Sequence, residues 1–82
     1  MSDDLNDKIK VIMAAVFKVD IAEIKEEISA ANFEKWDSLA HINLVVALEQ
    51  EFEVRIPDDL VEDLLSFKLV ELTVREALIH EA

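Results

Sequence analysis

The chain has 82 residues and carries a formal net charge of −11, from nineteen acidic and eight basic side chains. That length allows one small domain with one core and little room for an enclosed catalytic site. The charge argues against phosphate backbones and anionic lipid surfaces as partners and suits a basic protein patch, although acidic residues also serve plain solubility. With no cysteine there is neither a disulfide framework nor thiol chemistry of the chain's own. The first residues are acidic, unlike a secretory leader, and no run approaches the ~20 apolar residues of a membrane span. A cytoplasmic monomer occupying residues 1–82 as a single domain is the expectation.

Glycine is absent and Pro57 is the only proline. Hairpin turns depend on glycine, so the expected fold class is all-α. Leu5, Ile9, Ile12 and Val16 recur at helical spacing, widened by Met13 and Phe17, and predict a helix over 3–17. Residues 18–37 form a long connection with apolar anchors at Val19, Ile21, Ile24, Ile28 and Phe33. A short turn is expected after Asp20, where Glu23 follows three residues on.

The spacing predicts a second helix over 38–51. Its centre, Leu44-Val45-Val46-Ala47-Leu48, is apolar on nearly all sides, as in a helix central to its domain. Phe52, Val54 and Ile56 alternate after it. Pro57 with Asp58 and Asp59 suits a third helix start, with Leu60, Val61, Leu64 and Leu65 inward. Residues 66–72 have no clean period; Phe67, Leu69 and Val70 there serve either the core or a cleft. Thr73-x-x-Glu76 matches a capping box, which places the last helix at 74–80 with Val74, Ala77 and Leu78 inward. The sum is a small four-helix bundle with a long loop between the first two helices.

Ser38 stands at the mouth of the second helix. Its plain role is an N-cap or first-turn residue, with Asp37 the other candidate cap. A phosphate esterified to Ser38 would sit beside free amides and the positive end of the helix dipole. His41 and His80 are the histidines available, and neither has an orienting partner legible in sequence, so a serine–histidine–acid triad is not expected. The acidic pairs Glu26-Glu27, Asp58-Asp59 and Glu62-Asp63 match no calcium-loop spacing and read as solvated surface, so no metal site is assigned.

Trp36-Asp37-Ser38-Leu39, the apolar helix, Glu49-Gln50-Glu51-Phe52 and Ile56-Pro57-Asp58 together resemble the acyl carrier protein family. The likeness is ungapped from Asp37 to Asp58 and looser toward both ends. It implies a covalent phosphopantetheine arm on Ser38, installed from coenzyme A by a phosphopantetheinyl transferase. The arm's thiol would hold acyl groups as thioesters for fatty-acid, polyketide or related enzymes with basic docking patches, while the carrier itself catalyses nothing. It also implies a part for Asp37 in transferase recognition, and partner contact for Leu39 and Ile42, whose plain role is core packing. Glu49, Glu51 and Glu53 supply an acidic face. Trp36 reads as a staple against the helix or an exposed partner anchor, and the enrichment of tryptophan in interface hot spots favours the anchor.

Lys35 stands where the family often has glycine, and Ala40, His41 and Asn43 stand where fatty-acid carriers place acids. These departures indicate a specialised carrier. The other readings are an unmodified acidic scaffold with Ser38 as a cap, and a carrier of aminoacyl or aryl thioesters.

Overall fold

The computed structural model describes residues 3–81, and the side chains of residues 4–79. Four α-helices and one 3₁₀ turn follow in chain order: α1 Asp3–Phe17, the turn Ile21–Glu23, α2 Ser38–Phe52, α3 Asp58–Val61 and α4 Phe67–Glu81. No strand occurs among the described residues; the extended elements reduce to one isolated bridge between Ser29 and Ser66.

Apolar spacing explains the packing. Ile9, Met13 and Phe17 form one stripe of α1, Leu44, Val45 and Leu48 one side of α2, and Phe67, Val70 and Val74 one stripe of α4. These stripes meet in a single core, completed by Ile24, Ile28 and Trp36 from the long loop and Ile56 and Leu64 from the shorter connections. The loop is thus part of the core, although Ile21 is exposed.

Both α1 and α2 end without glycine. Lys18 and Glu53 take the left-handed conformation, at φ 61° and 54°. Val19 N–H then donates to Ala14 O at 3.1 Å, and Val54 N–H to Glu49 O at 3.2 Å. Each is the six-to-one bond of a Schellman motif, which satisfies an orphan carbonyl at the helix end.

The end of the chain departs from the sequence expectation. The last helix begins at Phe67, not at residue 74, so Thr73 and Glu76 lie inside α4 and form no capping box. Ser66 is the cap: its Oγ accepts the N–H of Leu69 at 3.2 Å. Ala30 N–H to Leu65 O at 2.8 Å and Phe67 N–H to Ile28 O at 3.0 Å tie this start to the loop. Phe67 and Val70 are core, whereas Leu69 faces out, and Leu60 and Leu65 are also exposed, unlike the inward face expected for α3.

Candidate functional site

The site is built on the first turn of α2. Asp37 precedes the helix with an extended backbone (φ −95°, ψ −175°), and its side chain accepts the N–H of Ala40 at 2.8 Å. Asp37 O accepts from His41 N–H at 2.8 Å and starts the helical ladder. Asp37 is therefore the N-cap and Ser38 the first helical residue. The amides of Ser38 and Leu39 have no carbonyl one turn back to meet, and with the helix dipole they give this end a local affinity for negative charge. Ser38 is exposed. Its hydroxyl has no hydrogen-bond partner among the described residues.

Trp36 is not the exposed anchor favoured by composition. It is 4 % exposed. Its ring packs on Phe17 at a centroid distance of 5.3 Å, and Phe17 packs in turn on Phe33, also at 5.3 Å. Its indole Nε1–H donates to Nδ1 of His41 at 3.0 Å, with the two rings inclined at 26°. Trp36 lies just before the cap and His41 is the fourth helical residue, so the pair occupies the positions of a hydrophobic staple.

His41, for which the sequence showed no orienting partner, has two. Nε2 lies 2.7 Å from the carbonyl oxygen of Val61, the last residue of α3. An indole N–H can only donate and a carbonyl can only accept, so Nδ1 is the acceptor and Nε2 carries the hydrogen. With both nitrogens committed, the ring is not positioned as a base for Ser38. The side chain of His80 lies outside the described residues.

Two hollows flank Ser38. One, of about 320 Å³, is a mostly apolar cleft between Ser38, His41 and Ile42 on one side and Ala30, Trp36 and Leu65 on the other. The second, of about 460 Å³, lies beyond Asp37 and Leu39 and includes Lys18, Lys35, Glu34 and Asn43. Outward from these run Leu39, Ile42 and Val46, which are 69 %, 58 % and 45 % exposed. α2 is therefore central, as expected, but on one side only, although its centre is apolar on nearly all sides. No charged residue occurs from Leu39 to Leu48.

The three glutamates divide. Glu49 is half-buried and its Oε2 accepts the backbone N–H of Ile56 at 2.8 Å, whereas Glu51 and Glu53 are exposed. Among the described residues, no group of three or more His, Asp or Glu side chains converges to hold a metal ion. No described helix is long and apolar enough to cross a membrane.

An exposed hydroxyl, two free amides and an apolar cleft beside them fit a phosphodiester followed by a long, partly apolar arm. Comparison with known proteins leads to the same group. The family described as "Phosphopantetheine attachment site" matches residues 7–75. A similar solved structure is the solution NMR structure of holo acyl carrier protein from Geobacter metallireducens. It shares 28 % identity with this chain at a TM-score of 0.82, over 93 % of this chain and 87 % of that one. The chain belongs to the phosphopantetheine-attachment family and, by its sequence and its helices, to the acyl carrier proteins within it, whose cofactor is a covalently attached 4′-phosphopantetheine.

Proposed function

We propose that Ser38 carries the 4′-phosphopantetheine arm and that the protein presents thioester-bound acyl groups to a dedicated set of biosynthetic enzymes. The observation that carries this reading is the exposed Ser38 hydroxyl at the first position of α2, beside the apolar cleft. In attachment, Ser38 Oγ attacks the pyrophosphate phosphorus of coenzyme A nearer the pantetheine. A phosphodiester forms, adenosine 3′,5′-bisphosphate leaves, and the hydroxyl proton passes to a base on the transferase. His41 is not placed to take it, because its two ring nitrogens are engaged with Trp36 and Val61. The arm's thiol supplies the thioester linkage that a chain without cysteine lacks.

The chain's own residues position the arm. The capped first turn offers its remaining amides to the phosphodiester. Ile42, Leu65 and Ala30 line the cleft next to it. Leu39, Ile42 and Val46 give partner enzymes an apolar face continuous with Ser38. Because that face bears no charge, docking at the arm rests on apolar contact, and the exposed Glu51 and Glu53 at the far end of α2 are left to long-range steering. This supports a specialised carrier over one recognised through acids early on α2.

The test is intact mass after incubation with coenzyme A and a broad-specificity phosphopantetheinyl transferase. The expected result is a gain of one phosphopantetheine group, absent in Ser38→Ala. No gain in the wild-type chain, or a gain that survives Ser38→Ala, overturns the reading.

A further inference from the structure

Residue 41 is a half-buried histidine that the carrier function does not use, and it links three separate parts of the chain. Through Nδ1 it holds Trp36 at the end of the long loop, at 3.0 Å. Through Nε2 it holds the carbonyl of Val61 at the end of α3, at 2.7 Å. Trp36, His41 and, four residues beyond Val61, Leu65 all line the cleft beside Ser38. The Leu65 wall is fixed from the loop side by the Ala30–Leu65 and Phe67–Ile28 backbone bonds. On the α2 side, His41 is the side chain that hydrogen-bonds to this wall's approach.

We propose that His41 is a positioning residue that clasps α3 to α2 and holds the cleft beside Ser38 narrow, and that protonation of its ring opens the clasp. The argument rests on donor and acceptor roles. The neutral ring with its hydrogen on Nε2 satisfies both neighbours at once. A second proton goes on Nδ1, which then points an N–H at the indole N–H of Trp36. Two donors cannot share that bond. Trp36 is buried and packed against Phe17, so the half-buried His41 ring is the partner that leaves its seat, and in leaving it breaks its bond to Val61. Histidine is the side chain that makes such a change near neutral pH. The charged groups on the elements packed against the ring are Glu34, Lys35 and Asp37 around Trp36, and Asp58, Asp59, Glu62 and Asp63 on and just after α3; all are exposed. Asp37 accepts from Ala40 through Oδ1, and the ion pairs found among the described residues, Lys10–Glu26 and Arg75–Glu71, lie elsewhere.

The consequence for cargo rests on Ser38 bearing the arm: a narrow cleft keeps the acyl group available to partners, and an open one admits more of it. The measurements are made on the unmodified full chain, so the clasp can fail while the carrier reading stands. Trp36 is the only tryptophan, which makes its emission a direct reporter. As the pH is lowered from 8, the emission is expected to change in one single-proton step, at the same midpoint as the His41 ring in NMR titration. Above that midpoint the ring nitrogen shifts are expected to show Nε2–H alone. Below it, amide exchange at Leu64 and Leu65 is expected to quicken roughly tenfold beyond its intrinsic pH dependence. His41→Phe, which keeps the ring volume, is expected to lose the emission step and to show the faster exchange already at pH 8. A ring that averages both tautomers at pH 8 overturns the proposal. So does a His41 titration that leaves Trp36 emission and Leu64 exchange unmoved.

Discussion

Glu49 and Ile56 are joined across the end of α2: the carboxylate Oε2 of one accepts the backbone N–H of the other at 2.8 Å. The bond fastens the connection that follows Glu53 to the last turns of the helix and seats Val54 and Ile56 in the core. Glu49→Ala is expected to lower stability by about 1–2 kcal/mol, the range for a partly screened hydrogen bond to a charged group. Glu49→Gln, which keeps an acceptor oxygen, is expected to lose less. Urea midpoints at constant slope measure both.

Asp37 and Ser38 are adjacent in sequence and are expected to separate by experiment. Ser38→Ala should leave stability within about 0.5 kcal/mol, as an exposed first-turn position does, while abolishing arm attachment. Asp37→Ala should cost about 1 kcal/mol through the lost cap on Ala40, and slow attachment without preventing it. Thermal melts and a time course of intact mass distinguish the two.

The uncharged face of α2 sets an expectation for docking. Leu39→Ala and Ile42→Ala should each raise the transferase KM for this carrier by roughly tenfold, as for an interface contact worth a little over 1 kcal/mol. Glu51→Gln and Glu53→Gln should change it by less than about threefold. The wild-type KM should rise with added salt as screening removes the long-range steering, while the Leu39→Ala and Ile42→Ala effects persist at high salt. A steep salt dependence together with sensitivity at Glu51 would place recognition on the acids instead.

Lys18 and Glu53 hold left-handed backbone that costs a side chain about 1 kcal/mol or more. Glu53→Gly relieves this and is expected to raise stability by up to about 1 kcal/mol, less what the looser unfolded chain takes back. A higher urea midpoint than wild type checks it.

Periodicity made α1 and most of α2 legible, because Ile9, Met13, Leu44 and Leu48 recur at the helical spacing and are buried. The start of α4 was hidden by two local signals. Leu69 and Leu72 are apolar yet exposed, and they blur the stripe of Phe67, Val70 and Val74. Ser66 lacks the glutamate that completes a capping box, whereas Thr73 has one inside the helix. Capping patterns favour a helix start and do not exclude a continuous helix. The Asp-Ser-Leu stretch was legible as a helix mouth. The bond from His41 to Val61 spans twenty residues and ends on a backbone carbonyl, which no side-chain pattern encodes. The burial of Trp36 likewise depends on Phe17, at the far end of another helix.

α2 is greasy on both sides, with Leu44 and Leu48 inside and Leu39, Ile42 and Val46 outside. Turning it about its own axis would exchange one oily surface for another, so contrast between wet and dry faces defines its angular setting poorly. Two polar fastenings to other parts of the chain break that degeneracy: His41 one turn in, bonded to Trp36 and Val61, and Glu49 near its end, bonded to Ile56. They fix which way Ser38 points. In this chain, the aim of the attachment point is set by a few hydrogen bonds along the helix, while the oily core supplies cohesion and leaves direction nearly free.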